Sequence, residues 1–289
     1  MTAPLKQHSI FRDARLCAEF EANGYLVVPL LNAGEIARLK EVYQNLHPGD
    51  LERYTNPAYA TGLFASTFIN DVEYRQRVID AVSPVFARAL DSHFQDFKVL
   101  TSGFIVKLSH PNSALPPHQD FTMIDEERFT PLTIWCPLDD ICETSGALCV
   151  LKGSHRLPRA IRALTIPSPY RPHAGIIRSH MKPIYVKAGT AIIFTLATFH
   201  SSQANTTGQP RVIGSTLIAH RDAERQIAYR SPERPDHIDL FAQEPDFFIR
   251  YTQFSDDVMG RPRIGRHVGS VPYQASTVTE REILQCIGG

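Results

Sequence analysis

The sequence predicts a mostly β fold, a double-stranded β-helix of the jelly-roll (cupin-like) type, with flanking helices. Helical periodicity dominates residues 16–94, and short strand-like apolar runs follow from Phe97 to Ala219. Glycine and proline separate these runs at the intervals typical of all-β sandwiches. Helices followed by many short strands favour a double-layered sheet with helical packing on one side.

The composition is that of an ordinary globular protein. The 289 residues are 43% hydrophobic and 21% charged, and 30 Lys and Arg balance 30 Asp and Glu. This balance gives no bias toward nucleic acid or an anionic membrane. We expect a single domain over residues 1–289, with a core at 16–220 and a C-terminal extension at 221–289. The extension is interpreted as a lid, a dimer arm or surface loops.

The sequence predicts a cytoplasmic location. No apolar stretch is long enough to span a bilayer, and the polar residues Met1 to Arg15 lack the apolar core of a secretory signal. The five cysteines are scattered and form no CxxC pair, so reduced thiols are expected.

The N-terminal third is predicted to be helix, strand and helix, followed by a further helix. Tyr25–Val28 is the strand within residues 16–46, and Asn32 caps the helix after it, with Glu35 completing a capping box. Val72 to Phe94 has the stripe of an amphipathic helix. The predicted strands are Phe97–Leu108, Thr133–Leu138, Ala147–Leu151, Ile184–Val186, Ala191–Phe199 and Val212–Ala219.

One short motif carries the candidate chemistry. His118 and Asp120 lie two residues apart on an extended segment, so both side chains point to the same face. An HxD pair alone is weak, since buried structural histidines are commoner than metal ligands. His200, at the end of the apolar run Ala191–Phe199, supplies a third ligand. Two histidines and one carboxylate, with the opposite positions open, are typical of non-haem Fe(II) oxygenases.

Arg211 strengthens this interpretation. A 2-oxo acid can fill two of the open iron positions and leave one for dioxygen, and its far carboxylate then needs a buried positive partner. The planar fork of arginine suits a carboxylate. A hairpin through residues 205–210 would place His200 and Arg211 on neighbouring strands. The alternative for Arg211 is a surface salt bridge.

Taken together, the motifs resemble those of the phytanoyl-CoA dioxygenase family of Fe(II)- and 2-oxoglutarate-dependent oxygenases. The resemblance covers residues 16–220. It rests on His118-Gln119-Asp120, on His200 with Ser202, on Arg211, on Phe20–Val28, and on Ser145–His155, in which Lys152 stands where proline is usual.

The resemblance implies a role for each matching residue. His118, Asp120 and His200 resemble the iron ligands, and Arg211 and Ser202 resemble the partners of the 2-oxoglutarate C5 carboxylate. The implied cofactors are Fe(II), 2-oxoglutarate and dioxygen.

Three further residues match the family less firmly. Trp135 resembles a residue beside the co-substrate, and its alternative is a core tryptophan. Lys107 faces the pocket or is a solvated edge lysine. His155 is interpreted as a structural turn residue. Halogenating members lack the carboxylate ligand, so the presence of Asp120 favours hydroxylation.

The predicted reaction is oxidation of a small molecule with release of succinate and CO2. The segments Phe121–Thr130, Tyr54–Phe68 and Ser168–His180 are expected to lie over the site. Their mixed aromatic and charged character favours a polar metabolite, an amino acid or a natural-product intermediate. An acyl-CoA thioester stays open, with a basic groove from Arg156, Arg159, Arg162, Arg171 and Arg178.

Two other classes remain as alternatives. A cupin-like metal isomerase or hydrolase would use the same ligands without Arg211 or 2-oxoglutarate, and a binding protein would keep the fold without turnover. The expected partner is a small molecule, with no nucleic acid or membrane, and the chain is expected to be a monomer or homodimer.

Overall fold

The computed structural model describes residues 10–51, 61–158, 160–252, 260–275 and 277–288. Helices come first and strands follow, as predicted. The helices are α1 (Ala14–Asn23), α2 (Ala33–Asn45), α3 (Val72–His93), α4 (Ala174–His180), α5 (Phe247–Arg250) and α6 (Glu280–Ile287).

The strands form three antiparallel sheets. They are β1 (Tyr25–Pro29), β2 (Leu63–Ala65), β3 (Phe97–Lys107), β4 (Leu115–His118), β5 (Leu132–Pro137), β6 (Leu148–Val150), β7 (Lys182–Ile184), β8 (Thr190–Thr195), β9 (His200–Ser202), β10 (Arg211–His220), β11 (Arg225–Tyr229), β12 (His237–Gln243) and β13 (Arg266–Pro272). The orders are β1-β8-β5-β10-β3-β2, β4-β9-β6-β7 and β11-β12-β13. The six- and four-stranded sheets are the two layers of the predicted jelly roll.

The N-terminal helices α1, α2 and α3 cover the outer face of the six-stranded sheet. Val78, Val82 and Phe86 of α3 are at most 1% exposed and belong to the same apolar cluster as Phe104 of β3 and Ile134 of β5. Each such side chain contributes roughly 1.5–3 kcal/mol when it is fully buried. The opposite face of this sheet is therefore left to line the interior between the layers.

Local signals in the sequence set the ends of the first elements. The Asn32 side chain accepts from Glu35 N and the Glu35 side chain accepts from Asn32 N, which is the predicted capping box. Gly24 ends α1 with φ +78°, a left-handed conformation that glycine adopts without strain. The Cβ of any other residue there would lie 2.2 Å from His155 Nδ1.

Two predicted features of the strands were wrong. The apolar run to Phe199 is not one strand, because β8 ends at Thr195 and a turn closed by Thr198 N donating to Thr195 O precedes β9. His200 and Arg211 are not on neighbouring strands of one sheet, because β9 and β10 lie in different layers. The connection over 203–210 therefore passes from one layer to the other.

The C-terminal segment adds structure to the rim of the jelly roll. Arg75 of α3 is 1% exposed and donates from Nε to Ile249 O at 2.8 Å, which ties α5 to the helical layer. Ile283 of α6 is fully buried beside Phe199. The single-domain organisation stays a prediction. Among the described residues, no helix is long and apolar enough to cross a membrane. All five cysteines are free.

Candidate active site

The two histidines of the candidate site lie side by side on neighbouring strands of the four-stranded sheet. His118 ends β4 and is in register with His200 of β9, and a bulge separates this pair from the one between Leu115 and Ser202. The imidazole centroids are 4.2 Å apart. Asp120 follows beyond the end of β4, where its backbone N donates to Leu196 O at 3.0 Å.

The three side chains converge on one point. Asp120 Oδ1 lies 3.9 Å from His118 Nε2 and 3.8 Å from His200 Nε2. One ligand atom from each residue lies within 4.8 Å of the other two. Bond lengths of roughly 2.0–2.2 Å to nitrogen and carboxylate oxygen are then within reach of one ion after small side-chain adjustments.

Backbone carbonyls fix the orientation of both imidazoles. His118 Nδ1 lies 2.9 Å from Pro116 O, and His200 Nδ1 lies 3.0 Å from Thr198 O. A carbonyl only accepts, so each Nδ1 carries the hydrogen and each Nε2 presents its lone pair toward Asp120. Burial, and then the neighbouring His200, lower the pKa of His118, so this ring is neutral as a metal ligand must be. The donor set therefore fits a divalent transition metal with open positions.

A cavity of about 320 Å³ opens between the two sheets beside this cluster. The six-stranded sheet contributes Trp135, Phe194 and Arg211, and the four-stranded sheet contributes Leu148 and Ser202. Ligand cavities of proteins span roughly 300–1,000 Å³, so this one suits compact molecules.

Arg211 is a buried cation in the wall of this cavity. It is 6% exposed, and no ion pair involves it among the described residues, so the surface salt bridge considered for it is wrong. One Nη donates to Gly146 O, the guanidinium lies 5.1 Å from the Trp135 ring centroid, and Nε has no partner. Burial lowers the pKa of Arg211 to about 9, which leaves the group charged at neutral pH. A buried guanidinium without an acidic partner among the described residues fits a carboxylate ligand.

Trp135 is a core tryptophan, as the alternative had it, and it also lines the cavity. It is 3% exposed and packs in an apolar cluster with Ile192 and Ile213, and it also lines the cavity under Arg211. A cation–π contact of this kind supports the guanidinium where no anion does.

Lys107 is fully buried, so the solvated edge lysine was wrong. Its ammonium donates to Ser113 O at 2.6 Å, Ser202 Oγ at 2.7 Å and Gln203 O at 2.9 Å, and it does not line the cavity. Burial, and then the charge of Arg211, lower the pKa of Lys107 to about 7. Since Ser202 Oγ accepts from Lys107, its own hydrogen is available to a ligand in the cavity.

Two residues that pack around Lys107 were not singled out from the sequence. Asn205 is fully buried and donates from Nδ2 to Lys107 O at 2.9 Å and to Gln209 O at 2.7 Å, which fixes the connection between β9 and β10. Gly146 has φ +77°, and a Cβ there would lie 2.8 Å from Lys107 Cδ. Both act through tertiary contacts, and only the Ser145–His155 motif gave a signal for Gly146.

Arg162 positions the carboxylate ligand. It donates from Nε to Asp120 O at 2.6 Å and from Nη2 to Glu126 Oε1 at 2.5 Å, and both ion-paired side chains are nearly buried. Arg156 is likewise engaged, with bonds of 2.6 Å to Ala22 O and Cys286 O. Two arginines of the basic groove considered for an acyl-CoA are thus held by the protein, and Arg159 lies outside the described residues.

The loops expected over the site are borne out in part. Phe121 and Met123 of the first loop line the cavity, as do Leu63 and residues 65–68 of the second. Residues 54–60 of the second loop lie outside the described part of the chain. No residue of Ser168–His180 lines the cavity, because Tyr170 and Ile177 pack with Phe199 and α6. The tail reaches the cavity through Phe248 of α5, while residues 253–259 are outside the described ranges.

A two-layered jelly roll with two histidines and an aspartate beside an interior cavity is typical of non-haem metal oxygenases. The comparison with protein families agrees: residues 20–213 match phytanoyl-CoA dioxygenase (PhyH). The chain belongs to the PhyH family. The predicted class and cofactors, iron, 2-oxoglutarate and dioxygen, are thereby confirmed.

Solved structures with this fold are distant in sequence. The epimerase SnoN in complex with Fe3+, alpha ketoglutarate and nogalamycin RO is 21% identical, with a TM-score of 0.52 over 88% of this chain and 94% of that one. The carbocyclase SnoK from nogalamycin biosynthesis is 18% identical, with a TM-score of 0.51 over 74% and 86%.

HygX from Streptomyces hygroscopicus, with nickel, 2-oxoglutarate and hygromycin B bound, is 13% identical, with a TM-score of 0.51 over 77% and 94%. At these identities the structures establish the shared fold. No curated protein matches the sequence.

Proposed function

We propose that this protein is an Fe(II)- and 2-oxoglutarate-dependent hydroxylase of a small molecule. The substrate, 2-oxoglutarate and O2 are converted to the hydroxylated product, succinate and CO2. The observation that carries the proposal is Arg211, a buried cation without an acidic partner in the described chain, in the same cavity as the His118, Asp120 and His200 cluster. A cupin-like isomerase or hydrolase has no use for such a group.

Each residue has a defined task in this proposal. His118 and His200 bind the metal through Nε2, and Asp120 binds it through a carboxylate oxygen. Arg211 and the hydroxyl of Ser202 bind the far carboxylate of 2-oxoglutarate. When bound, iron and 2-oxoglutarate supply the oxidising chemistry.

The rest of the site orients these groups and excludes water. Lys107 fixes the Ser202 hydroxyl, and Trp135 supports the Arg211 guanidinium. Leu148 and Phe194 line the adjacent wall with apolar surface. The retained carboxylate of Asp120 favours hydroxylation over halogenation. Related structures include an epimerase and a carbocyclase, so the reaction type is the part that an assay has to establish.

Two measurements test the proposal. Fe(II) and 2-oxoglutarate, added without oxygen, are expected to give a weak visible charge-transfer band, and its absence in folded protein would favour a cupin-like metal enzyme. His118→Ala and Asp120→Ala are expected to abolish substrate-driven succinate release. His180→Ala, in exposed α4 and away from the cavity, is the matched control and keeps full release. Normal release by the first two variants would rule out the ligand assignment, and no release by the wild type would favour a binding protein.

A further inference from the structure

The cavity wall offers very little charge to a substrate. Among the described residues that line the cavity, Asp120 is the only acid, Arg211 is the only arginine, and there is no lysine. In the proposed function, iron takes Asp120 and 2-oxoglutarate takes Arg211. A substrate with its own charge would then lose its hydration without gaining a counter-charge from the described residues of the wall, which is strongly unfavourable.

The cavity is lined mostly by apolar surface, part of it aromatic. Its wall comes from separate parts of the chain and includes Leu63, Phe68, Phe121, Met123, Leu217 and Phe248. Aromatic and aliphatic side chains of this kind contact hydrocarbon rings and branched chains over a large area. The wall therefore favours a bulky apolar body over an extended polar one.

The volume of the cavity limits the size of the substrate. Its volume of about 320 Å³ has to hold 2-oxoglutarate as well as the substrate. That leaves room for a compact molecule of about two fused rings, or for one end of a larger molecule.

We infer that the substrate portion entering this cavity is an uncharged, mainly apolar ring or branched body. This inference rests on the proposed function, because it assigns Arg211 and Asp120 to the cofactors. It disfavours a free amino acid, which the loop composition had left among the expected substrates, because the described residues of the wall leave no counter-charge for its ammonium or its carboxylate.

The single tryptophan of the chain gives a direct binding assay. Trp135 lines the cavity, and the sequence holds no other tryptophan, so its fluorescence reports on this site. The protein is loaded with Ni(II) in place of iron to prevent turnover and titrated with 2-oxoglutarate. A change in the wild type that is lost in Arg211→Met supports the proposed function, and no change in either contradicts it.

A second titration, at saturating 2-oxoglutarate, tests the substrate class. Three non-fluorescent bicyclic probes of matched shape are used: decahydro-2-naphthol, decahydro-2-naphthoate and protonated 2-aminodecahydronaphthalene. The alcohol is expected to bind at least about tenfold more tightly than either charged probe. Equal or tighter binding of a charged probe, or binding of none of the three, would overturn the inference while leaving the first titration intact.

Two lysine variants test the charge argument. Leu217→Lys is expected to reverse the preference toward the carboxylate, and Met123→Lys repeats the test at a partly exposed position where folding is less at risk. An unreversed preference in a folded lysine variant would contradict the charge argument.

Discussion

Replacing Arg211 with methionine separates what its guanidinium contributes to co-substrate binding from what it costs the folded protein. The side chain is 6% exposed, its Nε has no partner, and its polar contact is with the carbonyl of Gly146. Methionine is unbranched and adaptable, so it fills most of the same space without the charge.

The expected gain in stability follows from the burial of the charge. The pKa of Arg211 falls from 12.5 to about 9, which at about 1.36 kcal/mol per pKa unit corresponds to roughly 5 kcal/mol for keeping the charge inside. The lost bond to Gly146 and the lost contact with Trp135 offset roughly 2–4 kcal/mol. The ligand-free variant should therefore be more stable by about 1–3 kcal/mol, a rise in Tm of about 2–12 °C.

Binding should change in the opposite direction. Charge-assisted hydrogen bonds contribute roughly 1.5–3 kcal/mol, so the affinity for 2-oxoglutarate should fall by roughly 10- to 150-fold. Thermal unfolding of the Ni(II)-loaded protein, with and without 2-oxoglutarate, measures both effects, and calorimetric titration gives the affinity. Arg211→Lys is the control, since it keeps a charge but loses the fork, and should lose affinity without gaining stability. A methionine variant that is less stable without ligand and binds 2-oxoglutarate normally would refute this reasoning.

Three further predictions concern the groups around Arg211 and Asp120. Burial, and then the charge of Arg211, lower the pKa of Lys107 to about 7. A bound carboxylate favours the protonated form of Lys107. The affinity for 2-oxoglutarate should therefore be full below pH 7 and fall above it, by at most about tenfold per pH unit. Lys107→Met should remove this dependence, and an identical pH profile in calorimetry would exclude Lys107 as its source. Gly146→Ala should lower the free energy of unfolding by about 1–3 kcal/mol in chemical denaturation and also weaken 2-oxoglutarate binding. The control Gly208→Ala, with φ +80° and no atom within 4 Å of the new Cβ, should lose only stability. Equal behaviour of the two variants would contradict a role for Gly146 in placing Arg211. Arg162→Met should weaken metal affinity by about 10- to 100-fold in a competition titration, because Arg162 holds the backbone of Asp120. The control Arg38→Met, which breaks an exposed ion pair with Glu41, should leave metal affinity unchanged. Unaltered affinity in a folded Arg162 variant would show that Asp120 needs no such support.

The sequence predicted the metal cluster because its residues are tied to local pattern. His118 and Asp120 are two residues apart on an extended segment, and His200 follows an apolar run. The family resemblance then joined these three positions into one ligand set. The capping box at Asn32 and the strand after Gly24 were predictable for the same reason, since each depends on contacts within a few residues.

The supporting contacts could not be predicted in this way. Arg162 reaches Asp120 O from another loop. Periodicity also does not say which sheet a strand joins, which is why β9 and β10 were expected side by side. The burial of Lys107 arises from the packing of the connection at Asn205 against β3, a contact between segments far apart in sequence.

Strand β4 is held to its neighbour by few backbone bonds. Its pairing with β9 is limited to Leu115 with Ser202 and His118 with His200, and Pro116 and Pro117 between them have no amide hydrogen to donate. A metal ion shared by the two imidazoles would therefore add a link between β4 and β9 beside the backbone bond from Asp120 N to Leu196 O. Loss of the ion should weaken the pairing of β4 with β9 before the rest of the fold changes.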